Sequence, residues 1–143
     1  MQQNEDMRKI SAGAGLVLVP KAEPVLRQSA RGPAYAAALE RLAPDHFLSM
    51  QARVIEAYNR RDVATMLQRS GLWVQVHRHP VAYGGHAVAL YHNDQPQAAI
   101  EWLERALRVS PLDPFRAEWM YRLAWAHYML DQFDQAAAWK IGR

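Results

Sequence analysis

The residues most capable of chemistry are the histidines. His77, His79, His86 and His92 fall close together, and the first two sit in the stretch "VHRHP". A His-x-His pair suits a metal ion when both rings project from one side of a strand. His86 and His92 are six positions apart, so they do not share a helix face. No Asp, Glu or further His stands at a spacing that completes a ligand set. Two readings follow: a small helical metal-dependent enzyme using His77, His79 and His86, or polar residues at a helix junction. The second asks for no cofactor, and none is expected.

Other catalytic arrangements find less support. Ser49, Ser70 and Ser110 have no base or acid in a recognisable motif around them, and Ser110 precedes Pro111 and reads as a helix terminator. Glu101 and Glu104 belong to a solvent-facing helix stripe. Glu101 with Arg105, and Glu118 with Arg122, have the spacing of ordinary i, i+4 pairs. The pair Gly84-Gly85 follows no strand, so it is not a phosphate-binding loop. It either permits close helix packing or loosens a helix start. No nucleotide-binding signature is present, and the expectation is a protein that is not an enzyme.

Composition narrows the classes further. The chain has 143 residues, half of them hydrophobic, with a formal net charge of +3 and no cysteine. That length suits one domain with a real core. Disulfides, thiolate metal sites and cysteine nucleophiles are excluded. The basic residues, among them Arg53, Arg60, Arg61, Arg69, Arg78, Arg105, Arg108, Arg116 and Arg122, are interspersed with acids. There is no dense basic block with interleaved aromatics, which argues against nucleic acid as a partner and leaves a nucleic-acid-binding helical protein as an alternative reading only. No apolar run reaches the roughly 20 residues of a membrane span. From Met7, "MRKISAGAGLVLVP" has the basic head and apolar body of an export signal, but Glu5 and Asp6 precede it and no small-x-small cleavage site follows. A cytoplasmic location is expected.

The elements that must position these groups are helical. Residues 1–33 are punctuated by Gly13, Gly15, Pro20, Pro24, Gly32 and Pro33, and read as an irregular leader in which "GLVLV" is at most a short strand. From residue 34 onward the pattern predicts helices near 34–43, 45–60, 63–76, 81–94, 96–109, 114–131 and 133–141. Pro44, Pro80, Pro96, Pro111 and Pro114 fall at the boundaries, where a missing N–H is tolerated. Asp45 and Asp113 stand where caps are wanted.

The helices repeat. "AVALY" at 87–91 aligns with "AWAHY" at 124–128, and Ala99 and Trp102 align with Ala136 and Trp139, all at one offset of 37 residues. Between them "NDQPQAA" corresponds to "LDQFDQAA". Small residues followed by a tight polar turn, alanines and a terminal proline resemble the tetratricopeptide repeat. Ala87, Ala99, Ala106 and Pro111 fall on that family's small eighth, twentieth and twenty-seventh positions and its closing proline. The stretch "AIEWLERALRVSPLDPFRAEW" also resembles repeats appended to some bacterial nucleotide cyclases and other signalling proteins, though no cyclase catalytic domain accompanies it here. The offset exceeds the family's usual length, which suggests a helix near Pro114 extended by about one turn. Residues 54–67 keep the rhythm, with Tyr58 standing 33 positions before Tyr91.

The resemblance implies an all-α fold, a short right-handed stack of antiparallel helix hairpins forming an α-solenoid. After the leader (1–33), the helical domain of 34–143 divides into a degenerate repeat or cap at 34–79, a clear repeat at 80–113 and a clipped one at 114–143. It also implies a protein–protein interaction module, an adaptor or regulatory subunit, with a groove lined by the first helix of each pair. Carried over by position, that groove contains Tyr58, Asn59, Val88, Tyr91, His92, Tyr121, Trp125 and Tyr128. These residues suit a partner peptide or helix with apolar anchors; as aromatics at helical spacing they equally suit a core. The clamp by which some members hold chaperone tails is not reproduced, because Gly84 and Val88 occupy two of its positions and Glu118 brings the wrong sign. A second copy of the chain, stacking on an uncapped C-terminal helix, is a further expected partner.

Overall fold

A computed structural model describes residues 32–139. The expectations placed on the leader, including its short strand, lie outside these residues. Among the described residues the chain is entirely helical, with seven helices: α1 (Gly32–Leu42), α2 (Phe47–Asn59), α3 (Val63–Val76), α4 (Pro80–His92), α5 (Pro96–Val109), α6 (Arg116–Met129) and α7 (Phe133–Ala138). Each packs on the next, and α4 also touches α6, so first helices of successive hairpins lie side by side. Helix α1 begins at Gly32, before the predicted 34, because Pro33 fits a first turn that needs no N–H.

Three hairpin turns are built alike. Arg61, Asp94 and Asp131 each adopt a left-handed backbone, with φ of 57°, 56° and 57°. In each turn the next N–H reaches back five residues: Asp62 to Ala57, Gln95 to Leu90 and Gln132 to His127, at 3.0, 3.0 and 2.9 Å. This is the Schellman closure that satisfies late helix carbonyls. The pair α2–α3 thus shares the plan of α4–α5 and α6–α7.

The core is organised around α4. This helix is apolar on nearly every side, so it serves two clusters at once. Ala82, Val88 and Ala89 pack with Val54, Ala57, Met66 and Trp73 of the preceding pair. Tyr83, Ala87 and Leu90 pack with Ala99, Ile100, Leu103 and Ala106 of α5 and with Trp119, Leu123 and Ala126 of α6. Gly84 and Gly85 make the close approach possible. A Cβ at Gly84 would lie 2.9 Å from Cε2 of Trp119, and one at Gly85 would lie 2.7 Å from Cζ3 of Trp73. The pair is therefore a packing device, receiving an indole from each side. Ala99 and Ala106 are wholly buried on α5 for the same reason.

Helix ends depart from the reading in two places. Histidines, rather than Asp45, cap the first helices: His46 Nδ1 accepts from Leu48 N–H and His79 Nδ1 from Val81 N–H, both at 3.2 Å. The surplus length before α6 lies mostly in the six-residue loop 110–115, not in an extended helix. There Asp113 Oδ1 accepts from Phe115 N–H at 2.9 Å, a local turn that competes with helix initiation, and Pro114 pushes Asp113 out of the α region.

Candidate functional site

The predicted groove residues separate into two strings and one core residue. Tyr58 at the end of α2 meets the His92 ring of α4 edge-on, with centroids 5.5 Å apart, and His92 meets Tyr91 at 5.3 Å. The guanidinium of Arg122 on α6 lies 5.6 Å over the Tyr91 ring, held there by Glu118, whose Oε1 accepts from its Nε at 2.9 Å. One continuous line of contacts therefore crosses α2, α4 and α6. Asn59 is exposed beside it. Val88 is buried between α4 and the preceding pair, so it has no surface to offer a ligand.

The second string runs along α6. Tyr121, Trp125 and Tyr128 recur every three or four residues, so they share a helix face. Their rings contact in sequence at 6.3 and 5.5 Å, and Phe133 of α7 continues the line 5.6 Å from Tyr128. This face lies opposite Trp119, Leu123 and Ala126, which fill the core. Trp125 is 42% and Tyr128 55% exposed, with Met129 beside them. Arg122 of α6, over the Tyr91 ring, belongs to the same helix as the second string. Sequence reasoning carried Met129 over to the groove with the tyrosine stripe but did not assign Phe133, which opens the next helix.

A small pocket of about 190 Å³ opens at the ends of α2 and α4, lined by Tyr58, Asn59, Arg61, Val63 and His92. Arg61 and Val63 were not among the predicted residues. The signal for Arg61 was the turn itself, since "NRRD" aligns with the two later polar turns. His92 is held neutral more firmly than an ordinary histidine, first by burial and then by the Arg122 charge.

His77 and His79 do not converge with His86. His77 and His79 both pack on Phe47, at 5.4 and 4.9 Å, and His77 Nε2 lies 2.7 Å from the Asp45 carbonyl. His86 lies elsewhere, edge-on to Trp102 at 5.1 Å with its Nδ1 2.8 Å from Ser70 Oγ. The Ser70 hydroxyl donates to the Leu67 carbonyl at 3.1 Å. Its single proton is thereby used, so His86 Nδ1–H is the donor between them. That polarity does not activate the serine, and Ser70 is wholly buried. The pair pins α3 to α4. Among the described residues no three His, Asp or Glu side chains converge as metal ligands.

Of the two expected i, i+4 pairs, Glu118 with Arg122 forms. Arg105 instead lies over the Tyr83 and Trp102 rings, at 4.8 and 5.2 Å, because cation–π contact with two fixed rings outweighs a solvated pair with Glu101. Among the described residues, no helix is long and apolar enough to cross a membrane.

Comparison with known proteins agrees with this geometry. The family model of the tetratricopeptide repeat matches residues 79–140, the span of α4 to α7. No curated protein matches the chain. Repeats of this kind generally serve as protein–protein interaction modules, and the family is typically non-enzymatic. The small residues at Ala87, Ala99 and Ala106, the alike turns and the side-by-side first helices thus have one explanation: helices α4 to α7 are built on the plan of the tetratricopeptide repeat.

Proposed function

We propose that this chain is an adaptor or regulatory subunit that binds a segment of another protein across the first helices α2, α4 and α6. The carrying observation is the exposed aromatic string Tyr121–Trp125–Tyr128–Phe133. A contiguous apolar patch on a folded surface marks an interaction site. Tyr and Trp supply much of the energy of such contacts with little conformational entropy to lose. The string leads towards Arg122, Tyr91, His92 and Tyr58, a more polar stretch suited to fixing register. The units serving this surface are the degenerate 34–79, the clear 80–113 and the final 114–143.

The reading includes no catalytic step and no cofactor. Its test is selection from a displayed random-peptide library against the wild-type protein and against Trp125→Ala/Tyr128→Ala. Selected peptides should carry apolar or aromatic anchors and should bind the double variant at least ~10-fold more weakly, the loss of one hot-spot contact. Equal binding to both proteins would remove α6 from the site. A second copy of this chain seated on α6 and α7 is the rival occupant; sedimentation that shows a dimer in the wild type and a monomer in the double variant would favour it.

A further inference from the structure

We propose that the loop end of the stack, opposite the three hairpin turns, rests on an anionic lipid surface. The contact is with the face of a bilayer and involves no span. Loops 43–46, 77–79 and 110–115 lie at this end, because each joins a finished helix to the first helix of the next pair. His77 Nε2 donates to the Asp45 carbonyl at 2.7 Å, and Phe47 meets both His77 and His79, so the first two loops touch. Helices α4 and α5 have 13 and 14 residues, so α5 returns to the level where α4 began. The side chains left outermost here are aliphatic. Leu42 ends α1, Leu48 stands in the first turn of α2, Val76 and Val109 end α3 and α5, and all four are exposed. Leu112 is 83% exposed in loop 110–115, between Pro111 and Pro114, whose rings restrict the backbone there. That loop holds most of the surplus in the 37-residue offset, so the extra length presents a leucine to solvent.

The charge at this end is basic. Arg41, Arg78 and Arg108 are exposed beside the aliphatics, and Arg116 is half-buried. Asp45 is exposed among them, while Asp113 accepts from Phe115 N–H and Glu40 is held by Arg53 and Arg69. Glu104, one turn back on α5, lies 4.0 Å from Arg108. The opposite end is acidic: Asp62, Asp94 and Asp131 stand at the three turns and Asp134 follows, against Arg60 and Arg61. A negative surface therefore attracts the loop end and repels the turn end. Exposed aliphatics among arginines fit a lipid interface, where leucine enters the acyl boundary and guanidinium groups stay with the headgroups. Leu42 belongs to the first helix of the stack and Leu112 follows the fifth, so roughly 20 Å of helix spacings separates them. A flat bilayer meets tips spread so widely, whereas a peptide needs them contiguous. Leucine and valine are also under-represented among the anchors of protein interfaces. The aromatic string ends at the turn side with Tyr128 and Phe133, so a chain resting on lipid keeps that surface open.

The test is sedimentation of the full chain with mixed phosphatidylcholine–phosphatidylserine vesicles and with vesicles of phosphatidylcholine alone. The wild type should pellet with the mixed vesicles, come off as salt rises, and stay in solution with the neutral ones. Arg78→Gln should weaken binding about fivefold, the effect of one basic group near an anionic surface. Arg60→Gln removes the same charge at the turn end, which α2 sets roughly 20 Å away, about two Debye lengths, so its effect should stay under ~twofold. Leu42→Ser/Leu112→Ser should weaken binding roughly tenfold with the charge unchanged. Both leucines are exposed, so circular dichroism should show an unaltered fold. Equal binding to both kinds of vesicle, or binding to neither, would overturn the proposal. So would anionic binding that Arg78→Gln and the leucine pair leave intact, which would place the contact elsewhere in the chain. Capture of polyglutamate with no vesicle binding would replace the lipid by an acidic protein partner.

Discussion

Adding one methyl group at three glycines should have effects of opposite sign, and this tests how the hairpins are joined. In a helix interior, Gly→Ala stabilises by about 1 kcal/mol when nothing opposes the new Cβ. At Gly71 on α3 nothing does: the nearest neighbour would be His86 Cε1 at 3.8 Å, an ordinary contact. Gly71→Ala should therefore gain about 0.5–1 kcal/mol. At Gly84 the methyl would enter the Trp119 indole, 2.9 Å from Cε2 and 3.1 Å from Cδ1. Trp119 is a rigid bicycle buried in the core, so it cannot swing aside. Overpacking of this kind costs ~1–3 kcal/mol, and subtracting the propensity gain leaves a net loss of about 1–2 kcal/mol. Gly85→Ala should behave likewise, because Trp73 is wholly buried. Urea denaturation followed by far-ultraviolet circular dichroism measures all three. In a Trp119→Phe background the cost of Gly84→Ala should shrink by about 1 kcal/mol, since contacting residues couple. If all three substitutions stabilise alike, α4 is not packed between Trp73 and Trp119 as described.

Three further outcomes are expected. Ala99→Leu or Ala106→Leu should each destabilise by ~1–3 kcal/mol, read as a lower thermal midpoint, because both alanines are wholly buried at the α4–α5 contact. Tyr128→Ala should change stability by less than about 0.5 kcal/mol while weakening peptide binding, and Tyr91→Ala should affect both, since its ring also packs on the core cluster. Burial holds the His86 midpoint below the ordinary 6.5, so the unfolded chain binds the proton first. Stability should accordingly be level above that pH and fall as pH drops below it, and the fall in urea midpoint should be shallower in His86→Asn.

The helices were legible because their signals are local. Pro80 and Pro96 stand at first-turn positions, and α3 and α5 occupy the predicted spans. The 37-residue offset found real hairpin equivalence, because small residues at Ala87, Ala99 and Ala106 are required wherever two helices touch. What was not legible depends on direction. Val88 matches a groove position by count, yet α4 is enclosed on both sides and Val88 faces the preceding pair. Arg105 is four residues from Glu101, but the rings that capture it are brought there by packing of α4 on α5. A histidine cap competes with the more familiar aspartate, and only backbone geometry shows that His46 and His79 take the role. Arg61 belongs to a turn, where sequence reads the bend but not the cavity beside it.

Which face of the stack meets the partner decides the proposed function. Photo-crosslinking from benzoylphenylalanine settles it when the residue is placed singly at Asn59, at Tyr128 and at Leu72, an exposed position on the second helix α3. The same partner polypeptide should be captured from positions 59 and 128 and not from 72. Capture from 72 with none from 59 or 128 would contradict a binding surface along α2, α4 and α6.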